Sequence, residues 1–264
     1  MVKNIDGRAI AEKVKDQIAR DIFALAGPRP NLAIILVGER EDSKLYVSLK
    51  EKEGKRVGID THLYKLEGDE SDKDLLDIIN FLNADDSVDG ILVQLPLPDR
   101  FNTDQIIEAI KPEKDADGFH TQCPDYIMSP VLASVEACLK NINFIPEGKT
   151  ACVLYNSEIF GLSVKKMLET KGMKVSLRND SDQADLLVSA LGKPSYIKAE
   201  MIKPGAVIID IGITKVGEQV LGDADYEDVK GRAGFITPVP GGIGPMTIAF
   251  LFKNVWEIYK RRGK

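Results

Sequence analysis

Leu32 to Val37 (LAIILV) sets six apolar residues in a row, closed by Gly38. A strand with one wet face alternates apolar and polar residues, and a helix needs more length. An unbroken run this short therefore predicts a strand covered on both faces, as in a parallel sheet. Gly90 to Leu95 (GILVQL) has the same character. Helical periods surround these runs. Arg8 to Leu25 carries Ile10, Val14, Ile18, Ile22 and Leu25 at helical spacing and stops at Gly27-Pro28. Asp42 to Arg56 reads as helix with Ser43 as its N-cap, Ile59 to Leu66 as strand, and Ser71-x-x-Asp74 opens a helix bearing Leu75, Leu76, Ile79 and Leu82.

The second half repeats the alternation: helix Val131 to Leu139, strand Ala151 to Tyr155, helix Phe160 to Thr170, then strands Lys174 to Leu177, Asp185 to Ala190 and Ala206 to Ile211. A last helix runs from about Met246 to Arg261. Strands alternating with helices imply right-handed βαβ units, and two such blocks imply two α/β domains. The periodicity breaks between His120 and Ser129, where Pro124 and Pro130 intervene.

Composition removes several functions. The chain of 264 residues has 44% hydrophobic and 29% charged residues, and no apolar run nears the roughly 18 residues of a membrane helix. Lys+Arg 35 against Asp+Glu 41 gives a net charge of −6, which argues against sequence-independent binding to nucleic acid or anionic lipid. The first residues lack a secretory signal, so the expected compartment is the cytoplasm. Three scattered cysteines, Cys123, Cys138 and Cys152, read as buried thiols rather than a disulfide framework. With only His62 and His120 present, neither a His-rich metal site nor a Ser-His-Asp relay is expected.

Tyr46 and Lys50 stand four apart on a predicted helix and so share one face, where they can reach one ligand or simply lie in solvent. Gln94 interrupts an apolar run at the carboxyl end of a strand, just before Pro96-Leu97-Pro98. That edge is where open α/β sheets bind ligands, and a buried amide satisfied within the core is the plainer alternative. Asp115 and Asp117, in KDADG, are open to two readings, an Asx-type turn or a site. Thr237 to Thr247 (TPVPGGIGPMT), with three glycines and three prolines, cannot be a regular element throughout. It predicts a rigid loop whose backbone can approach a ligand, ahead of a helix N-terminus. Strand Ala151 to Tyr155 followed by Asn156-Ser157 and a helix holds the place of a dinucleotide-binding turn, without the glycine fingerprint.

Taken together, Ser43-x-x-Tyr46-Val47-x-x-Lys50, GILVQLPLP at 90–98, KDADGFH at 114–120, Gly192-Lys193-Pro194, Ile209-Asp210-Ile211-Gly212-Ile213 and TPVPGGIGPMT closely resemble the bifunctional methylenetetrahydrofolate dehydrogenase/cyclohydrolase family. The resemblance covers nearly the whole chain. It implies two α/β domains around a cleft: a folate-binding domain over 1–122, completed by helix 246–264, and a Rossmann-like NADP-binding domain over 123–245. The implied partners are tetrahydrofolate derivatives and a second copy of the chain, with no nucleic acid, membrane or metal. The implied chemistry is oxidation of 5,10-methylenetetrahydrofolate by NADP, then hydrolysis of the methenyl cation to 10-formyltetrahydrofolate.

Carried over by position, Lys50 is the cyclohydrolase base or proton shuttle, Tyr46 stacks on the folate, Gln94 holds Lys50 and Asp117 binds the pterin. Leu95 and the Pro240-Gly241-Gly242 backbone line the substrate pocket. Tyr155, Asn156, Ser157, Arg178, Ile213 and Thr247 are the expected NADP contacts. The departures lie in the cofactor half. The family's glycine, arginine, serine triplet reads Tyr155-Asn156-Ser157, its Pro-Cys-Thr-Pro reads Ile127-Met128-Ser129-Pro130, and the segment from Leu177 to Asp185 is short. They leave a second reading, a monofunctional cyclohydrolase or folate-binding protein with a degenerate nucleotide site.

Overall fold

The computed structural model describes residues 2–263. Along the chain run β1 (Lys3–Asn4), α1 (Gly7–Phe23), β2 (Asn31–Val37), α2 (Glu41–Val57), β3 (Asp60–Leu66), α3 (Asp72–Ala84), β4 (Gly90–Val93), α4 (Thr103–Glu108) and α5 (Pro130–Asn141). Then come β5 (Thr150–Tyr155), α6 (Glu158–Glu169), β6 (Lys174–Leu177), β7 (Leu186–Ala190), β8 (Val207–Asp210), β9 (Thr214–Val216), β10 (Gln219–Leu221), α7 (Tyr226–Val229), β11 (Phe235–Ile236) and α8 (Ile243–Arg261). The contacts divide the chain into two units. One holds Glu12–Pro130 with the chain from Ile248 onward; the other holds Val131–Thr247 with the chain up to Ala11.

The first unit is built on a three-stranded parallel sheet in the order β3-β2-β4. Side chains alternate faces along a strand, and here both faces are covered. Leu32, Ile34 and Leu36 pack with Val47, Phe252 and Trp256, while Ala33, Ile35 and Val37 pack with Leu75, Ile79 and Leu82. That is why the run in β2 needs no polar residue. Edge strand β3 is largely exposed and correspondingly polar. The C-terminal part of α8 is tied into this unit by polar contacts as well as packing: Asn254 Nδ2 donates to the Ala116 carbonyl at 2.9 Å, and the Tyr259 hydroxyl to that of Pro28 at 2.7 Å.

The second unit carries a six-stranded parallel sheet, β1-β11-β8-β7-β5-β6, and a separate β9–β10 hairpin. The chain up to Ala11 groups here because Lys3 and Asn4 pair with Phe235 and Ile236.

Some local expectations fail. Ser43 is not an N-cap: α2 starts at Glu41 after Arg40, leaving Ser43 buried in its first turn. Glu41 and Asp42 instead meet the helix dipole. The Pro-Gly loop ends early, since α8 begins at Ile243 and Pro245 lies in its first turn, where a missing N–H forfeits no intrahelical bond. Cys138 and Cys152 are buried, but Cys123, in the irregular stretch after His120, is partly exposed.

Candidate active site

In the three-stranded unit, Gln94 directly follows β4, and its backbone N–H donates to the Ile35 carbonyl at 2.8 Å. This fixes it at the carboxyl end of the sheet. Its side-chain NH2 donates to the adjoining Leu95 carbonyl at 2.6 Å, which leaves Oε1 as acceptor toward Lys50 Nζ at 2.8 Å. The amide is therefore satisfied by a lysine from another element as well as by its neighbour's backbone. Lys50 and Tyr46, one turn apart on α2, are both half-buried. Burial holds the Lys50 ammonium below the ordinary lysine value, and the Asp117 charge works against that shift.

The two readings of the KDADG segment resolve onto different residues. Asp115, fully buried, is the turn carboxylate: it accepts from the backbone N–H groups of Asp117, Gly118 and His120 at 3.1, 2.9 and 3.0 Å and lies 2.8 Å from His120 Nδ1. The Asp117 carboxylate, by contrast, accepts no hydrogen bond from the described residues. Burial pushes its carboxyl up to about 6, while Lys50 pulls it down and Asp115 adds a smaller upward push. Lys50, Gln94 and Asp117 thus form one cluster, with a partly desolvated amine facing a carboxylate available to a ligand.

In the six-stranded unit, β5 has β6 on one side and β7 on the other. The loops after β5 and β7 consequently part at their carboxyl ends, the switch point at which α/β sheets bind dinucleotides. Asn156 Nδ2 bridges to the Leu191 carbonyl at 3.3 Å, and Ser157, at the N-cap of α6, does not use its side chain to cap the helix. Tyr155 is only 4% exposed, its ring lying over Gly161, where any Cβ would fall 2.5 Å from it. Arg178 covers the ring at 4.1 Å, adopts left-handed backbone (φ 62°) just after β6, and is paired with Glu158 at 3.7 Å. Tyr155 thus presents Arg178 rather than its own ring.

Ile213 follows β8 with its side chain 46% exposed. Pro240 is exposed, Gly241 accepts from the Arg8 N–H at 3.2 Å, and Gly242 is buried. The Thr247 hydroxyl donates to the Gly244 carbonyl at 2.7 Å. An exposed guanidinium after β6 and an uncapped helix start after β5 are suited to a phosphorylated nucleotide, although the glycine turn is absent. Among the described residues, no cluster of His, Cys, Asp or Glu could hold a metal ion, and no helix is long and apolar enough to cross a membrane.

Residues 5–117 match the family model for the tetrahydrofolate dehydrogenase/cyclohydrolase catalytic domain, and residues 130–263 match its NAD(P)-binding domain. The chain belongs to the tetrahydrofolate dehydrogenase/cyclohydrolase family. It is a bifunctional α/β enzyme of one-carbon metabolism. The bifunctional protein FolD of Geotalea daltonii is 43% identical over 280 residues, covering 99% of this chain and all of that one. The crystal structure of the bifunctional FolD enzyme from Campylobacter jejuni superposes with a TM-score of 0.95 at 36% identity, over 99% of this chain and 100% of that one. The Trypanosoma brucei dehydrogenase-cyclohydrolase, solved with NADP and an inhibitor, gives 0.92 at 30% identity over 100% and 99% of the two chains.

Two further buried residues of the six-stranded unit are Asp210, inside the Ile209-Asp210-Ile211-Gly212-Ile213 motif, and Asp223, for which the sequence predicts no role. Most of their donors are remote in sequence, Gly212 beside Asp210 being the exception, and the local signal is an aspartate closing an apolar strand in Ile209-Asp210.

Proposed function

We propose that Lys50 moves the proton in the cyclohydrolase step, and the observation that carries this is the 2.8 Å bond from Lys50 Nζ to a Gln94 Oε1 whose orientation is set by the Leu95 carbonyl. An amine that donates to Gln94 keeps a lone pair for water once it is neutral, and burial favours that neutral form. Lys50 takes a proton from the water that attacks the methenyl carbon, and returns it to N5 as the carbon–N5 bond breaks; the carbinol hydroxyl proton passes to solvent. Tyr46 stacks on the folate, Asp117 binds the pterin, and Leu95 lines the substrate. We infer a cytoplasmic homodimer, as the resemblance implies.

The pH profile tests this assignment. The cyclohydrolase kcat/KM should rise with pH through an inflection below the ordinary lysine value, because only neutral Lys50 accepts a proton. Asp117 raises the Lys50 pKa, so Asp117→Asn should move the inflection to lower pH even though it weakens binding. An inflection unmoved by Asp117→Asn would assign the titration to another group.

For the dehydrogenase step we propose NADP as cofactor, held by Asn156, Ser157, Arg178, Ile213 and Thr247, with Tyr155 supporting Arg178. When bound, NADP supplies the hydride acceptor for the methylene carbon. Arg178 follows β6, the position at which a Rossmann-type domain meets the adenosine ribose, and a 2′-phosphate there would displace the exposed Glu158. Arg178→Ala should lower the NADP/NAD ratio of kcat/KM about tenfold, roughly 1.4 kcal/mol. An unchanged ratio would make Arg178 an ordinary loop cation.

A further inference from the structure

Asp210, 2% exposed, and Asp223, fully buried, lie at the carboxyl edge of the six-stranded sheet. Between them they take up backbone donors of three loops. Asp223 Oδ2 accepts from the Ser189 hydroxyl and the Leu191 N–H, each at 2.7 Å, and its Oδ1 accepts from the Lys193 N–H at 2.8 Å. Asp210 Oδ1 accepts from the N–H groups of Gly212 and Asp223 at 2.9 and 3.1 Å, and its Oδ2 from that of Ala224 at 2.8 Å. The Asp210 backbone is held in turn by Thr237, whose hydroxyl receives the Asp210 N–H at 2.7 Å and donates to the Asp210 carbonyl at 3.2 Å. Thr237 is the first residue of the Pro-Gly loop.

Close approach of both carboxylates is built into the sequence. A Cβ on Gly212 would sit 2.3 Å from the Asp223 carboxylate, and one on Gly222 would sit 2.2 Å from Asp210 Oδ2. A loop fastened by several hydrogen bonds to a buried carboxyl group is stiff, since releasing it strands polar partners away from water. The fastened segments are Leu191–Lys193 after β7, Gly212 next to Ile213 after β8, and the start of the loop leading to Gly241-Gly242. Among the described residues, neither carboxylate pairs with a lysine or arginine side chain.

We propose that Asp223, with Asp210 behind it, is a positioning residue for hydride transfer: it fixes the loops after β7 and β8 as a rigid cradle for the nicotinamide end of the cofactor. This rests on the dehydrogenase reading above. Hydride transfer is steep in distance and alignment, and a misplacement of about 1 Å can cost on the order of 10²-fold. The cyclohydrolase step uses no nucleotide and takes its proton chemistry from Lys50, Gln94 and Asp117. The Pro-Gly loop expected to line the substrate hangs on Thr237, which bonds the Asp210 backbone and not the Asp223 side chain, so hydrolysis serves as an internal control for variants of Asp223.

Asp223→Asn keeps the size of the side chain but replaces an acceptor oxygen by NH2, so at least one of the Ser189, Leu191 and Lys193 donors loses its partner. We expect the NADP-dependent dehydrogenase kcat to fall about tenfold or more, with cyclohydrolase kept within about twofold. The primary deuterium isotope effect with substrate dideuterated at the methylene carbon should rise, because hydride transfer becomes rate-limiting. Ser189→Ala, which removes one donor and leaves both backbone bonds, should shift the isotope effect the same way by less, and decides the matter alone if Asp223→Asn does not fold. An unchanged dehydrogenase kcat and isotope effect, or a parallel fall in both activities, would overturn the proposal. Wild-type enzyme that reduces no nucleotide would instead overturn the dehydrogenase reading.

Discussion

Lys50→Met abolishes hydrolysis of methenyltetrahydrofolate in the expected result, while the folded state survives. Methionine retains an unbranched stem of similar length, so the packing along α2 is kept and only the amine is lost. Gln94 keeps its bond to the Leu95 carbonyl, and its freed Oε1 lies in a half-buried site that water can reach. Loss of a positioned general base costs roughly 10²–10⁴ in rate. The measurement is the decay of methenyl absorbance with purified variant, alongside circular dichroism for the fold. Hydrolysis close to the wild-type rate would remove Lys50 from the chemistry.

Asp117→Ala is expected to weaken folate binding by one to two decades. Asp115 already serves the turn through its four contacts to Asp117, Gly118 and His120, so removing the Asp117 carboxylate leaves the local backbone supported. What is lost is a hydrogen-bonding charge for the ligand, worth about 1.5–3 kcal/mol, or roughly one to two decades in affinity. Titration calorimetry with a folate ligand measures it. Unchanged affinity would reduce Asp117 to a turn residue like its neighbour.

The parts of this molecule that sequence reveals are those in which local pattern and burial coincide. Strand β2 reads correctly because both its faces are covered, and the Ser71 helix because its capping box is formed as written, Ser71 and Asp74 exchanging bonds at their backbones. Lys50 and Gln94 stand out as residues, one by helical spacing and the other as an amide in an apolar run, but only their 2.8 Å bond joins positions 44 apart. Two-residue strands such as β1 and β11 have no period to detect; they exist because remote segments pair. Tyr155 looks like a failed glycine fingerprint until Gly161 is seen to make room for its ring and Arg178 to cover it. Asp210 and Asp223 escape for the same reason, since nearly all of their donors lie 12 or more residues away.

One chain performs both steps, with a working nucleotide site expected despite the Tyr155-Asn156-Ser157 turn. Steady-state assay of both half-reactions on a single preparation, with NADP and NAD side by side, tests it most directly. The expected result is reduction of nucleotide with methylenetetrahydrofolate, faster with NADP than with NAD, together with hydrolysis of methenyltetrahydrofolate. Hydrolysis without reduction of either nucleotide would contradict it and leave a monofunctional cyclohydrolase.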